Sequence, residues 1–220
     1  MIFRASPNFN ARPCPVSYLV LHYTGMPTAQ AAIDLLCAVE AQVSAHYVVD
    51  EDGSITQLVA EEDRAWHAGI SYWRGQRMLN DGSIGIEIVN PGHEWGYRPF
   101  PAAQMEAVTA LCQGIVGRHP IAARNVVAHS DIAPNRKQDP GELFAWRGLA
   151  AAGIGVWTDE FEPPGDWRED LAAIGYDVSL PEDDVIRAFQ RHFLPEALGQ
   201  GMDARTAGRA AALRALVDRA

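Results

Sequence analysis

Cysteine is scarce in this chain. Three residues, Cys14, Cys37 and Cys112, make an odd number with no CxxC pair. That excludes a disulfide framework and a cysteine-built zinc knuckle, and free thiols fit a reducing compartment. Two of the three lie in apolar helical patterns and are expected to be buried. Positive charge is also short: 18 Lys and Arg stand against 28 Asp and Glu, a net charge of −10. Nucleic acid as a partner is excluded, because phosphates demand a basic surface, and so is a polybasic membrane contact. Long apolar runs are missing as well. Val16 to Leu21 is too short to span a bilayer, and no apolar segment precedes Pro13. No secretory signal and no membrane span are therefore expected. The expected location is cytoplasmic, or the envelope if a signal has been removed. What remains is a hydrophobic fraction of 48% and a charged fraction of 21% over 220 residues. Those are the values of a soluble globular protein with one good core and room for a small second one.

The chemistry-bearing residues concentrate in one stretch, His129-Ser130-Asp131-Ile132-Ala133-Pro134-Asn135-Arg136-Lys137-Gln138-Asp139-Pro140-Gly141. It follows Asn125-Val126-Val127-Ala128, a short apolar run of the kind that forms a buried strand. His129 then stands where the strand ends, and Pro134, Pro140 and Gly141 mark a loop. A loop on the end of a rigid strand is a usual place for reactive groups. Imidazole and carboxylate are zinc donors, but two donors do not hold a catalytic zinc. A third candidate is His22, which closes another short apolar run, Tyr18-Leu19-Val20-Leu21-His22. Two histidines at strand ends and a loop aspartate would leave a fourth tetrahedral position for water. His46 opens a further strand and competes for the ligand role, although support of the site or core suits it better. Glu87 sits in Ser83-Ile84-Gly85-Ile86-Glu87-Ile88-Val89-Asn90, where a carboxylate is costly unless it is paired or working. The alternative is an exposed face of an edge strand shared by Gly85, Glu87 and Val89.

Four motifs carry a resemblance: Leu21-His22-Tyr23-Thr24, Ser83-Ile84-Gly85-Ile86-Glu87, Val127-Ala128-His129-Ser130-Asp131-Ile132-Ala133-Pro134 and Lys137-Gln138-Asp139-Pro140-Gly141. In this order they resemble the zinc-dependent type 2 N-acetylmuramoyl-L-alanine amidases of the AmpD and AmiD kind. The resemblance implies one Zn2+ per chain on His22, His129 and Asp139. It implies Glu87 as the catalytic acid–base and Lys137 as the group that steadies the oxyanion. It also implies that the family's bond is cut, the amide between N-acetylmuramic acid and L-alanine of the stem peptide. The partners would be soluble muropeptides, including 1,6-anhydro forms, or the peptidoglycan polymer. Trp66-His67-Ala68-Gly69, with Tyr72 and Arg74, forms an aromatic, glycine-rich loop suited to sugar faces and carboxylates. These residues and Asn90 are the substrate-binding candidates. A metal-free recognition module is the rival reading, but such modules lose a ligand and this chain keeps all three.

The rest of the chain sets the expected architecture. Thr28 can cap a helix over about 29–39, Asp52-Gly53 signals a hairpin, and Met105, Val108, Leu111, Cys112 and Ile115 form the apolar stripe of a helix over 101–118. A further helix is expected over about 141–151. Alternating strands and helices with a hairpin predict an α/β fold, a mixed central sheet flanked by helices. Pro163-Pro164-Gly165 amid acidic residues has linker composition. The expected division is therefore a catalytic domain over 1–157, a linker over 158–166 and a small all-α three-helix domain over 167–220. The last resembles the peptidoglycan-binding modules of cell-wall hydrolases through Leu171-Ala172-Ala173-Ile174-Gly175-Tyr176 and the apolar spacing of Val185, Ile186, Phe189 and Phe193; the alternative is a small helical bundle that packs on the catalytic domain.

Overall fold

Two short strands, β1 (Ile2–Phe3) and β2 (Phe9–Ala11), lead into the buried strand β3 (Tyr18–Tyr23) in the computed structural model, which describes residues 1–218. Helix α1 (Ala29–Leu36) begins where the Thr28 side chain accepts the Ala31 N–H, a cap worth about 1 kcal/mol. Strands β4 (Tyr47–Val49) and β5 (Ile55–Gln57) pair antiparallel around Asp52-Gly53, as the turn signal predicts. Three short strands follow, β6 (Asp63–Ala65), β7 (Tyr72–Trp73) and β8 (Gln76–Arg77), and then the long strand β9 (Ser83–Ile88). A one-turn helix α2 (Gly92–Trp95) precedes α3 (Ala102–Arg118). Beyond it come β10 (Val126–Ala128), the single turn α4 (His129–Ile132) and α5 (Trp146–Ala151). Three helices end the described chain: α6 (Trp167–Ile174), α7 (Glu182–Phe193) and α8 (Ala204–Val217).

The main sheet is mixed, with strand order β1-β5-β4-β9-β3-β10. Strands β4, β9, β3 and β10 run parallel to one another, and β5 with its parallel neighbour β1 runs the opposite way. Parallel central strands buried on both faces read as near-continuous apolar runs, which is the pattern of Tyr18-Leu19-Val20-Leu21 and Ile84-Gly85-Ile86. One face carries Leu19, Leu21, Ile84, Ile86 and Ile88, and packs on Val108, Leu111, Cys112 and Ile115 of α3 and Trp146 of α5. The predicted stripe of α3 is thus the buried face, with Met105 at its margin. The expected α5 starts later, at Trp146, because residues 141–145 are taken up by turns. Of the thiols only Cys112 is buried; Cys37 is half-buried and Cys14 exposed.

The opposite face is where the C-terminal helices meet the sheet. Val20 and Val127 of the sheet, Trp73 and Ile132 share one core with Phe189 and Leu213 of the C-terminal helices. Residues 158–166 are not a free tether either. The Glu162 N–H donates to Gly208 O, and Arg209 donates to the Thr158 and Asp159 carbonyls while lying 4.3 Å from the Phe161 ring. Strap and helix supply each other's backbone partners here. Among the described residues no helix is long and apolar enough to cross a membrane.

Candidate active site

Parallel pairing decides which side chains meet. His22 and Glu87 are Cα partners on β3 and β9, so they stand side by side on one face. Ala128 is the partner of Leu21, which brings the following residue, His129, next to His22 at the strand ends. Glu87 therefore lies on a central strand, not an edge. Sites of open α/β sheets form outside the carboxyl ends of their strands, and a cleft of 370 Å³ opens there. Glu87, His129, Lys137 and Asp139 line it.

His22 Nδ1, His129 Nδ1 and Asp139 Oδ2 converge to 2.9, 3.0 and 2.9 Å from one another. All three residues are buried, at 1%, 4% and 7% exposure. Hydrogen bonds alone do not satisfy this triangle. A carboxylate accepts from both rings only if each Nδ1 carries a proton, and then two N–H groups face each other. A shared cation removes the conflict, so the donor set fits a metal. Neutral imidazole is required of a ligand, and burial, with His129 adding to it against Asp139, lowers His22 to about 4. Burial alone would raise Asp139, but the two histidines outweigh it and hold the carboxyl far below its usual range.

The outer nitrogens are fixed in turn. His129 Nε2 lies 3.3 Å from Ala68 O, and His22 Nε2 lies 3.0 Å from His67 Nδ1. With both Nδ1 atoms reserved for a metal, His22 donates to His67, and His67 donates through Nε2 to Ser83 Oγ at 3.1 Å. The Ser83 hydroxyl in turn donates to Leu79 O at 2.6 Å. Such partners set tautomer and ring orientation. His46 is also wholly buried; its Nδ1 accepts the Gly85 N–H, and burial brings it down to about 3. It supports the strand and does not reach the donor triangle.

Glu87 is the outlier. Its Oε2 is buried without a hydrogen-bond partner in the protein. Burial raises the carboxyl well above its ordinary value, Asp139 adds to the rise, and Lys137 opposes it. Lys137 is half-buried on the loop between His129 and Asp139 and is the single lysine of the chain.

The aromatic loop divides. Trp66 and His67 line the cleft. Ala68 is buried and offers its carbonyl to His129, and Gly69 is exposed beside the Arg136 guanidinium. Tyr72 and Arg74 are not among the cleft residues. The Arg74 guanidinium donates to the Ala173 and Ile174 carbonyls of α6, and Tyr72 lies under Arg77. Asn90 is buried outside the cleft, where it binds Arg98 O and the Gly92 N–H. The chain spends these three groups on holding its own segments together. Sequence reasoning missed Tyr97, whose hydroxyl donates to Pro140 O and accepts the Leu143 N–H. Gly141 leaves room for it, since a Cβ there would stand 2.2 Å from the Tyr97 oxygen. A glycine next to a ligand motif was the one available signal.

The comparisons agree with this geometry. The family described as N-acetylmuramoyl-L-alanine amidase matches residues 12–142. The chain is 41% identical to the N-acetylmuramoyl-L-alanine amidase AmiD of Escherichia coli, over 90% of this chain and 82% of that one. It is 36% identical to the 1,6-anhydro-N-acetylmuramyl-L-alanine amidase AmpD of Haemophilus influenzae, over 64% of this chain and 85% of that one. A solved structure of E. coli AmiD with the substrate anhydro-N-acetylmuramic acid-L-Ala-D-gamma-Glu-L-Lys superposes with a TM-score of 0.82, at 40% identity, over 93% of this chain and 91% of that one. With the family match over residues 12–142, 41% identity to one relative and this superposition, the chain belongs to the N-acetylmuramoyl-L-alanine amidase family.

Proposed function

We propose that this chain hydrolyses the amide between N-acetylmuramic acid, including its 1,6-anhydro form, and L-alanine of the stem peptide, with one Zn2+ held by His22, His129 and Asp139. The observation that carries this reading is the frustrated donor triangle in the same cleft as Glu87, whose buried Oε2 has no partner, and a lysine. Zinc, when bound, supplies Lewis acidity toward the scissile carbonyl and the attacking water. Glu87 accepts the water proton at its free Oε2 and passes it to the leaving nitrogen. Lys137 donates to the carbonyl oxygen as negative charge develops there, a role worth about 3 kcal/mol for a well-placed donor. The carbonyl–nitrogen bond breaks, leaving a lactyl carboxylate on the sugar and a free amine on L-alanine.

Soluble anhydro-muropeptides are the substrate this reading favours, because the AmiD relative is solved with one and the AmpD relative is described as acting on that class. This would serve cell-wall recycling, and three free thiols suit a cytoplasmic setting. Trp66 and His67 at the cleft support contact with the sugar-peptide. We infer for residues 167–220 a peptidoglycan-binding-like role that adds affinity for longer glycan. The groove of Asp183, Arg187 and Gln190 on α7 offers the polar groups for it. Mass spectrometry of digests of an anhydro-muropeptide and of intact sacculi, run side by side, tests the reading. Free stem peptide and anhydro-N-acetylmuramic acid are expected from the first; cleavage at any other bond would overturn it.

A further inference from the structure

The C-terminal helices reach the metal site through one buried carboxylate. Asp131 lies on α4, two residues after the ligand His129, and is 0% exposed. Its Oδ2 accepts the Ala128 N–H at 2.8 Å, which caps the turn that starts with His129. The remaining acceptor sites are filled from outside the matched amidase span. His192 Nδ1 of α7 lies 2.6 Å from Oδ2, and the Tyr176 hydroxyl, just past α6, donates to Oδ1 at 2.7 Å. Both donors are themselves buried, at 3% and 1% exposure. Burial and the neighbouring Asp131 push the Tyr176 phenol well above its ordinary value, so it stays a donor.

The same turn is tied to a second ligand. The Ser130 N–H donates to the Asp139 carbonyl at 3.0 Å. A shift of α4 therefore moves both His129 and Asp139, two of the three donors. The His192 ring has little freedom, being stacked on Trp146 at 3.8 Å and on Phe193 at 3.7 Å. Buried carboxylates are costly unless every acceptor site is met, which makes this contact more than packing.

We propose that Tyr176 and His192 are positioning residues for the metal site: through Asp131 they fix the turn that carries His129, so the C-terminal helices form part of the metal scaffold. The inference rests on the metal reading above. Its test is the zinc affinity of the full-length, metal-stripped protein, measured by competition with a chromophoric chelator, beside a thermal melt of each metal-free variant. His192→Phe keeps the ring stack and loses the donor. His192→Asn keeps a donor near the Nδ1 position and loses the stack. Tyr176→Phe deletes a single hydroxyl and is the variant least disturbed in fold. Outer partners of ligands typically contribute about 10–100-fold in metal affinity. His192→Phe and Tyr176→Phe are expected to bind zinc roughly 10-fold more weakly. His192→Asn should melt lower yet bind zinc within about 3-fold of the parent, below that range. A merely structural role would make affinity indifferent to the donor. Unchanged affinity in both His192→Phe and Tyr176→Phe overturns the proposal. So does an equal loss in His192→Asn and His192→Phe. A parent protein that binds no zinc at all instead brings down the metal reading, and this inference with it.

Discussion

Glu87 shows how far a single side chain is legible. A carboxylate among isoleucines announces either an exposed face or a working group, and alternation alone does not separate the two. Pairing with β3 decides it, because the partner of Glu87 is His22 on a central strand. Glu87→Gln is expected to retain fold and zinc while losing about 10²–10⁴-fold in kcat, the usual worth of positioned proton transfer. Single-turnover assays beside elemental analysis check this; near-parental kcat contradicts it. Lys137 offers a chemical test, being the only lysine. Acetylation of amines should cost roughly 10²–10³-fold in kcat, the range for one lost oxyanion donor, and Lys137→Met should show the same loss without reagent. Gly85 is needed for another reason. A Cβ there would lie 2.4 Å from the His67 ring. Gly85→Ala should therefore lower stability by about 1–3 kcal/mol, the cost of overpacking, in a denaturant melt of metal-free protein. His67 was readable as a site residue from its motif, but its place beneath His22 was not, because the contact joins segments 45 residues apart in sequence.

The elements that mattered most were the easiest to read. β3, β9 and β10 are short apolar runs whose ends carry His22, Glu87 and His129, and periodicity finds such runs directly. The single turn α4 was read as loop because its prolines lie just beyond it and its cap, Asp131, is completed by residues far downstream. Arg74 looked like a carboxylate fork, yet it closes the carbonyls at the end of α6. Neither partner is visible locally. One tie between elements carries a pH signature. Glu61 binds the Tyr47 hydroxyl of β4, Arg118 at the end of α3 and His119. Burial alone would raise its carboxyl, but the bonds from Arg118, His119 and Tyr47 outweigh this and hold it at about 2. A carboxyl depressed in the folded state stabilises fully above its unfolded pKa, and loses that contribution as pH falls through the folded one. Glu61→Gln should thus lower the melting temperature at neutral pH and flatten its decline between about pH 4.5 and pH 2. A melting series across that range checks it; a parallel decline in both proteins would count against the tie.

At the scale of the whole molecule the type of fold was readable in the sequence, which left open how its two parts pack. The mixed sheet flanked by helices and the three C-terminal helices are where their patterns place them. The linker composition of 158–166 suggested that the helices could be detached. They share a core with Val20, Trp73, Val127 and Ile132 instead. Linker composition reports local polarity and says nothing of what lies beneath. A chain ending at residue 157 would bare that face, so it should aggregate or melt well below the full-length protein. Gel filtration and a thermal melt check this, and a soluble, stable fragment would restore the modular picture. Whether His22, His129 and Asp139 hold one working zinc is decided by titrating zinc into the chelated full-length protein while following release of free stem peptide from an anhydro-muropeptide. Turnover is expected to be absent without metal, to rise linearly and to level at one equivalent, with no recovery in His129→Ala. Undiminished turnover in the chelated protein, or full recovery in His129→Ala, would rule out this zinc site.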